Sequence, residues 1–246
     1  MQAMTTPAAT PAHDHAAHDP DIEPDVIYAL YAVFRARTDS ARLSDEARDG
    51  AAAEVQAVLD QAAAKEVDTR GSYDVAGYRA DADLMFWWTA SSPDDLQEVY
   101  SRFRATALGR AVEPVWSAMG LTRPAEFNPD HLPAFVQRKE PRRYLCVYPY
   151  VRSLEWYLLD PVERRAMLAE HGELARGFED VLANTVAAFG LNDYEWLLAF
   201  EADALPRIVD LMRQLRTAQA RKHTRLEVPF YTGARKPLAE IVRTLP

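Results

Sequence analysis

Between residues 148 and 171 the chain sets out four side chains whose types could do chemistry together. A tyrosine stands before a proline (Tyr148, Pro149), an arginine follows four residues after the tyrosine (Arg152), a tryptophan eight after it (Trp156) and a histidine twenty-three after it (His171). A neutral imidazole can ligate iron, a guanidinium can hold carboxylates through charge-assisted hydrogen bonds, and phenol and indole rings can carry radicals. Types alone do not choose between a redox site and ordinary packing. A lone histidine on an apolar helix face is more often a hydrogen-bonded core residue than a ligand, and Trp156 could be plain core.

The elements that must position these residues are a strand and the helix after it. Residues 143–152 read as a strand, and side chains alternate along it. Leu145, Val147 and Val151 are expected to face the helices. Tyr144, Cys146, Tyr148, Tyr150 and Arg152 then share the other face, either a pocket wall or a surface wetted by solvent. Pro149 marks a bulge or an edge. Asp160-Pro161-Val162-Glu163 opens a helix with an N-cap, a proline at the first position and a glutamate at the third. Its apolar stripe is read through Met167, Leu174, Phe178 and Leu182, with His171 in the stripe. Gly172 and Gly177 cost about 1 kcal/mol each in a helix, a cost that a flat object approaching the backbone would explain. His131 lies in the proline-rich run Asn128-Pro129-Asp130-His131-Leu132-Pro133, aimed inward or exposed on a loop. His223, in a basic run, reads as solvated.

The rest of the chain reads as scaffold. A net charge of −9 argues against a nucleic-acid partner. Cys146 is the only cysteine, so no intrachain disulfide forms and a zinc–thiolate site is disfavoured, in keeping with a cytoplasmic location. No apolar run approaches the roughly 20 residues of a membrane span. Residues 1–24, rich in Ala, Pro, Asp and His, read as a disordered tail. Two stretches then follow one plan, strand–helix–strand–strand–helix, in residues 25–119 and again in 143–246, joined by a proline-rich linker at 120–142. The expected fold is α+β: two fused ferredoxin-like modules, each an antiparallel sheet with helices on one face, the two sheets packed into a barrel-like pair. The first module's helix at 44–65 has no histidine, so a histidine-ligated site would occur once per chain, in the second module.

The spacing Tyr148, Arg152, Trp156, His171, with His131 seventeen residues before the tyrosine, resembles that of the actinobacterial coproheme decarboxylases of the chlorite-dismutase-like superfamily. The resemblance runs from about Pro24 to the C-terminus. It implies oxidative decarboxylation, by hydrogen peroxide, of two propionates of iron-coproporphyrin III to vinyls, giving haem b through a monovinyl tripropionate. It also implies the roles. His171 is the axial iron ligand, His131 the base that takes a proton from the oxidant, and Tyr148 the residue oxidised to a radical that removes hydrogen from a propionate. Arg152 and Trp156 bind the substrate. A homopentamer and a transient contact with the preceding coproporphyrin ferrochelatase are implied as well. True chlorite dismutases carry an arginine at the position of Asn184, or of Ala183 if the alignment slips by one. No arginine lies between Gly177 and Leu205. A chlorite dismutase or peroxidase, or a haem-binding protein without activity, are the alternatives.

Overall fold

The structure, a computed structural model, describes residues 26–39, 43–123 and 132–246. The expected tail at 1–24 and the expected base His131 lie outside the described residues.

Alternating burial builds the first module. Strand β1 (Tyr28–Ala36) pairs antiparallel with β3 (Leu84–Ala90) on one side and β4 (Val112–Leu121) on the other, and β2 (Asp68–Asp74) joins beyond β3. Leu30, Ala32 and Phe34 point to one face, where α1 (Arg48–Ala63) and α2 (Pro93–Ala105) cover them. Ala29, Tyr31 and Val33 point to the other. The second module repeats the order with β5 (Tyr144–Arg152), α5 (Pro161–Leu174), β6 (Leu182–Ala187), β7 (Trp196–Ala202), α6 (Leu205–Leu215) and β9 (Tyr231–Arg235), and two short helices, α3 (Ala107–Ala111) before β4 and α4 (Leu154–Leu158) after β5, lie outside the repeat. Strand order is β4-β1-β3-β2 in one module and β9-β5-β7-β6 in the other. The α+β class and the ferredoxin-like repeat are therefore as expected.

The two sheets do not stack as separate layers. They join edge to edge, β4 to β6 at Leu121↔Ala187 and β2 to β9 at Tyr73↔Arg235 and Asp74↔Ala234, into one closed ring. Closure removes the open edges a four-stranded sheet would leave. A short strand, β8 (Thr224–Leu226), adds only to the end of β5. The seams are short, so the modules are held mainly by a shared apolar interior, where Tyr31, Met85 and Trp87 meet Leu145, Val147 and Leu197.

This closure corrects the face assignment of β5. Leu145 and Val147 fill the barrel, while Cys146 and Tyr148 face α6. Aliphatic side chains suit a closed interior, so the tyrosines fall on the helix side. Other boundaries also differ. The α5 helix ends at Leu174 and the chain turns at Gly177 with φ +86, so Gly177 is a turn residue and Leu182 belongs to β6. The last strand is β9, which follows the short β8 after four residues. The C-terminal helix α7 (Leu238–Thr244) returns to the first module, where Leu238, Ile241 and Val242 join its helix-side core.

Candidate active site

The two modules differ in how their helices meet the sheet. In the first, the stacked pair Phe86–Trp88 (centroids 4.8 Å apart), with Phe34, Phe103 and α7, fills the space under the helices. In the second, α5 contributes only Leu168 as a buried residue. Between its helices and the outer face of β5, β6 and β7 lies a cavity of about 450 Å³, within the usual range for a small-molecule site. All its lining residues come from position 133 onward, so the first module contributes none.

Tyr148, Arg152 and His171 all line this cavity. The Tyr148 phenol is buried, stacked on Phe230 at 4.5 Å between centroids, and its hydroxyl donates to Met212 Sδ at 3.6 Å. Burial raises its pKa well above the usual phenol value, so the hydroxyl stays protonated. His171 reaches the cavity from α5, whose start is set by the Asp160 side chain accepting from Val162 N at 2.8 Å with Pro161 at the first turn. Burial, with the Arg152 charge adding to it, lowers the His171 pKa to about 4. The imidazole is therefore neutral near pH 7, the form that binds a metal.

Arg152 is buried at 3% exposure. Its Nη1 donates to Tyr150 Oη at 2.7 Å and to the Ala220 carbonyl at 3.4 Å, and its backbone N–H donates to Glu195 Oε2 at 2.7 Å. The guanidinium carbon stands 3.9 Å from the Trp156 ring centroid. Trp156 itself is fully buried with Leu168 and Ala220 and is not among the residues lining the cavity. Trp156, expected to bind the substrate, stands behind Arg152: the indole supports the guanidinium, and Arg152 lines the cavity. His223, expected in solvent, packs 5.6 Å from the Trp156 ring.

Sequence reading placed Tyr150 on a possible pocket wall but missed Met212, Arg216 and Arg221 in the lining. Tyr150 lies beside Arg152 with its hydroxyl 2.8 Å from Thr224 Oγ1. Arg216 and Arg221 share Glu227, the first at 2.5 Å. Met212 meets Tyr148 from α6. The signals were faint, because Arg216 and Arg221 sit where a helix end and a turn would ordinarily be solvated, and only convergence of distant segments makes them a wall. Lys139, Arg152, Arg216 and Arg221 oppose Glu179 and Glu227 in the lining, an excess of positive charge in an acidic chain. Arg142, by contrast, pairs with Asp203 at 3.2 Å, and Arg143 lies over Tyr144; neither lines the cavity.

On β6, Ala183 and Thr185 face the cavity, while Asn184 is fully buried on the barrel side, bonded to Glu201 and to the backbone of Phe135 and Ala199. The position where an arginine was sought is therefore that of Ala183, a methyl group.

Known proteins resemble the chain in sequence and in fold. The family model described as chlorite dismutase matches residues 48–236. The chain belongs to the chlorite dismutase family. Within that family it is 58% identical, over 194 residues, to the coproheme decarboxylase of Mycolicibacterium smegmatis, with 78% of this chain and 84% of that one covered. Its fold is similar to chlorite dismutase from Candidatus Nitrospira defluvii in complex with imidazole, at 28% identity and a TM-score of 0.78, covering 89% of this chain and 94% of that one. The arginine-to-lysine mutant of that enzyme matches at 27% identity and a TM-score of 0.79, with the same coverage.

Proposed function

We propose that this chain is a hydrogen-peroxide-dependent coproheme decarboxylase, converting two propionates of iron-coproporphyrin III to vinyls and yielding haem b. The observation that carries the reading is one cavity lined by a buried, protonated tyrosine, a neutral histidine and a buried arginine. The cavity's apolar walls suit a macrocycle, its cations suit a molecule with four carboxylates, and neutral His171 suits iron. The iron porphyrin, substrate and redox centre at once, supplies the oxidising chemistry with peroxide.

This chain's residues hold and direct it. His171 ligates the iron. Arg152, kept in place by Trp156 and Tyr150, takes a propionate through charge-assisted hydrogen bonds. Tyr148, buried against Phe230, gives up an electron and its hydroxyl proton, then recovers a hydrogen atom from a propionate β-carbon. Loss of carbon dioxide together with a second electron, taken up by the oxidant with a proton, completes the vinyl group. Each propionate thus loses two electrons, and one peroxide accepts them as it becomes two waters. His131 takes a proton from the oxidant, a role that rests on its spacing from Tyr148 alone. The family resemblance supports a homopentamer, a cytoplasmic location and a transient contact with the ferrochelatase that makes the substrate. Among the described residues no helix is long and apolar enough to cross a membrane.

Chlorite dismutation is disfavoured by the methyl group of Ala183 facing the cavity. Peroxide added to the coproheme complex, followed by mass spectrometry, tests the reading. Two successive losses of carbon dioxide with two hydrogens are expected from the parent chain. From Tyr148→Phe, bound and unaltered coproheme is expected. Vinyl formation by that variant at the parent rate would overturn the role of Tyr148. An unchanged porphyrin with the parent chain would point to a binding protein.

A further inference from the structure

The barrel interior holds an ion pair that the chemistry above does not use. Arg70, on β2 of the first module, donates from Nε and Nη2 to Glu201 Oε1 on β7 of the second, at 2.9 and 2.7 Å. The two side chains are 5% and 0% exposed. An ion pair this deep is weak evidence for stability, because desolvation offsets most of the attraction. Its remaining bonds show what it organises. Arg70 Nη1 donates to the Lys139 carbonyl at 3.1 Å. Glu201 Oε2 accepts from Arg142 N at 3.2 Å, and Oε1 accepts from Asn184 Nδ2 at 2.9 Å. Asn184 Oδ1 accepts in turn from Phe135 N at 2.9 Å. Three of these arms end on the backbone of residues 132–142, at Phe135, Lys139 and Arg142, and Asn184 Nδ2 also donates to the Ala199 carbonyl on β7 at 3.2 Å.

That segment is a strap across one side of the cavity. Pro133, Ala134, Gln137 and Lys139 all line the cavity. The strap's first half is anchored by Phe135, whose ring lies 5.7 Å from that of Trp87, and by Ala134 N donating to the Ala183 carbonyl at 3.2 Å. Its second half turns through Arg138 at φ +54, a left-handed conformation unfavourable for a side chain of that size, and residues 137–140 are exposed, so polar bonds must hold it. We infer that Arg70, in the module that lines none of the cavity, is a positioning residue for the substrate site: with Glu201 and Asn184 it holds the strap that carries Lys139 to the cavity wall. The inference deepens the coproheme reading and rests on it for the identity of the ligand. It also gives the first module a part in the site.

Arg70→Lys keeps the charge that Glu201 requires but cannot span both Glu201 and the Lys139 carbonyl with one nitrogen. Hydrogen exchange on the full chain should show the amides of residues 134–142 exchanging roughly fivefold to tenfold faster, those of α1 and α2 exchanging as before, and coproheme bound several-fold more weakly. Asn184→Ala cuts the anchor to Phe135 and one hydrogen bond to Glu201 while leaving both charges of the ion pair in place, should give the same pattern, and keeps the test open if Arg70→Lys does not fold. Strap exchange as slow as in the parent overturns the inference. Exchange rising equally along the whole chain overturns it too, by making Arg70 merely structural. A loosened strap with undiminished coproheme affinity removes its link to the site. A parent chain that takes up no coproheme overturns the proposed function instead, and the exchange result still decides the role of Arg70 in holding the strap.

Discussion

Tyr148 and His171 are both shaped by the same physical term, the cost of charge in a poorly hydrated place. For Tyr148 it keeps the phenol protonated, so in the proposed radical role electron loss and proton loss go together. For His171 it keeps the imidazole neutral. The second case has a measurable consequence. The folded-state pKa is about 4 against 6.5 for the free side chain, so between those values the unfolded chain binds more protons. The stability linked to His171 is therefore present above pH 6.5 and is lost as pH falls toward 4. Urea midpoints across that window should fall with acidification in the parent and fall less in His171→Gln. Trp156 acts at the same scale. Replacing it with leucine removes a cation–π contact worth about 1 to 2 kcal/mol and frees the Arg152 guanidinium. Coproheme affinity, followed by absorbance titration, should drop roughly tenfold, with Tyr148 still able to react.

Among the elements, α5 matters most, because it carries His171 while burying little of itself. Its start depends on local chemistry, the Asp160 cap and Pro161, more than on packing. Asp160→Ala should cost about 1 kcal/mol, read as a lower urea midpoint, and should loosen His171, the proposed iron ligand, along with the helix. The contrasting element is α1, which buries five residues, Ala51, Ala52, Val55, Leu59 and Ala62, against its own sheet. One helix is fastened by its face and the other mainly by its end, and the hollow lies under the second.

The whole molecule is a duplicated fold in which one copy is filled and the other is hollow. The aromatic stack under the first module's helices, closed off by α7, supplies packing that the second module gives up. Ile241 is 1% exposed in that packing. Ile241→Ala should destabilise the chain by about 2–5 kcal/mol in urea unfolding. It should leave coproheme stoichiometry per folded chain unchanged, because the substitution lies in the other module. A fall in stoichiometry at full folding would mean that the modules are coupled through more than the ring and the strap.

The helix opened by Asp160 and Pro161, the repeated strand–helix order and the spacing from Tyr148 to His171 were legible in the sequence because each depends on neighbours along the chain. Caps, periodicities and register are local, and they placed tyrosine, arginine and histidine on adjacent elements. Which face of β5 meets the helices was not legible. Alternation says that Leu145 and Val147 oppose Tyr148, but only ring closure makes the aliphatic side the inside. The place of Trp156 behind Arg152, the inward turn of Asn184 and the reach of Arg70 across the barrel to the strap were equally hidden. Each is a contact between residues far apart in the chain, made definite by burial: in a closed barrel a charged or polar side chain must find its partner wherever the fold brings one.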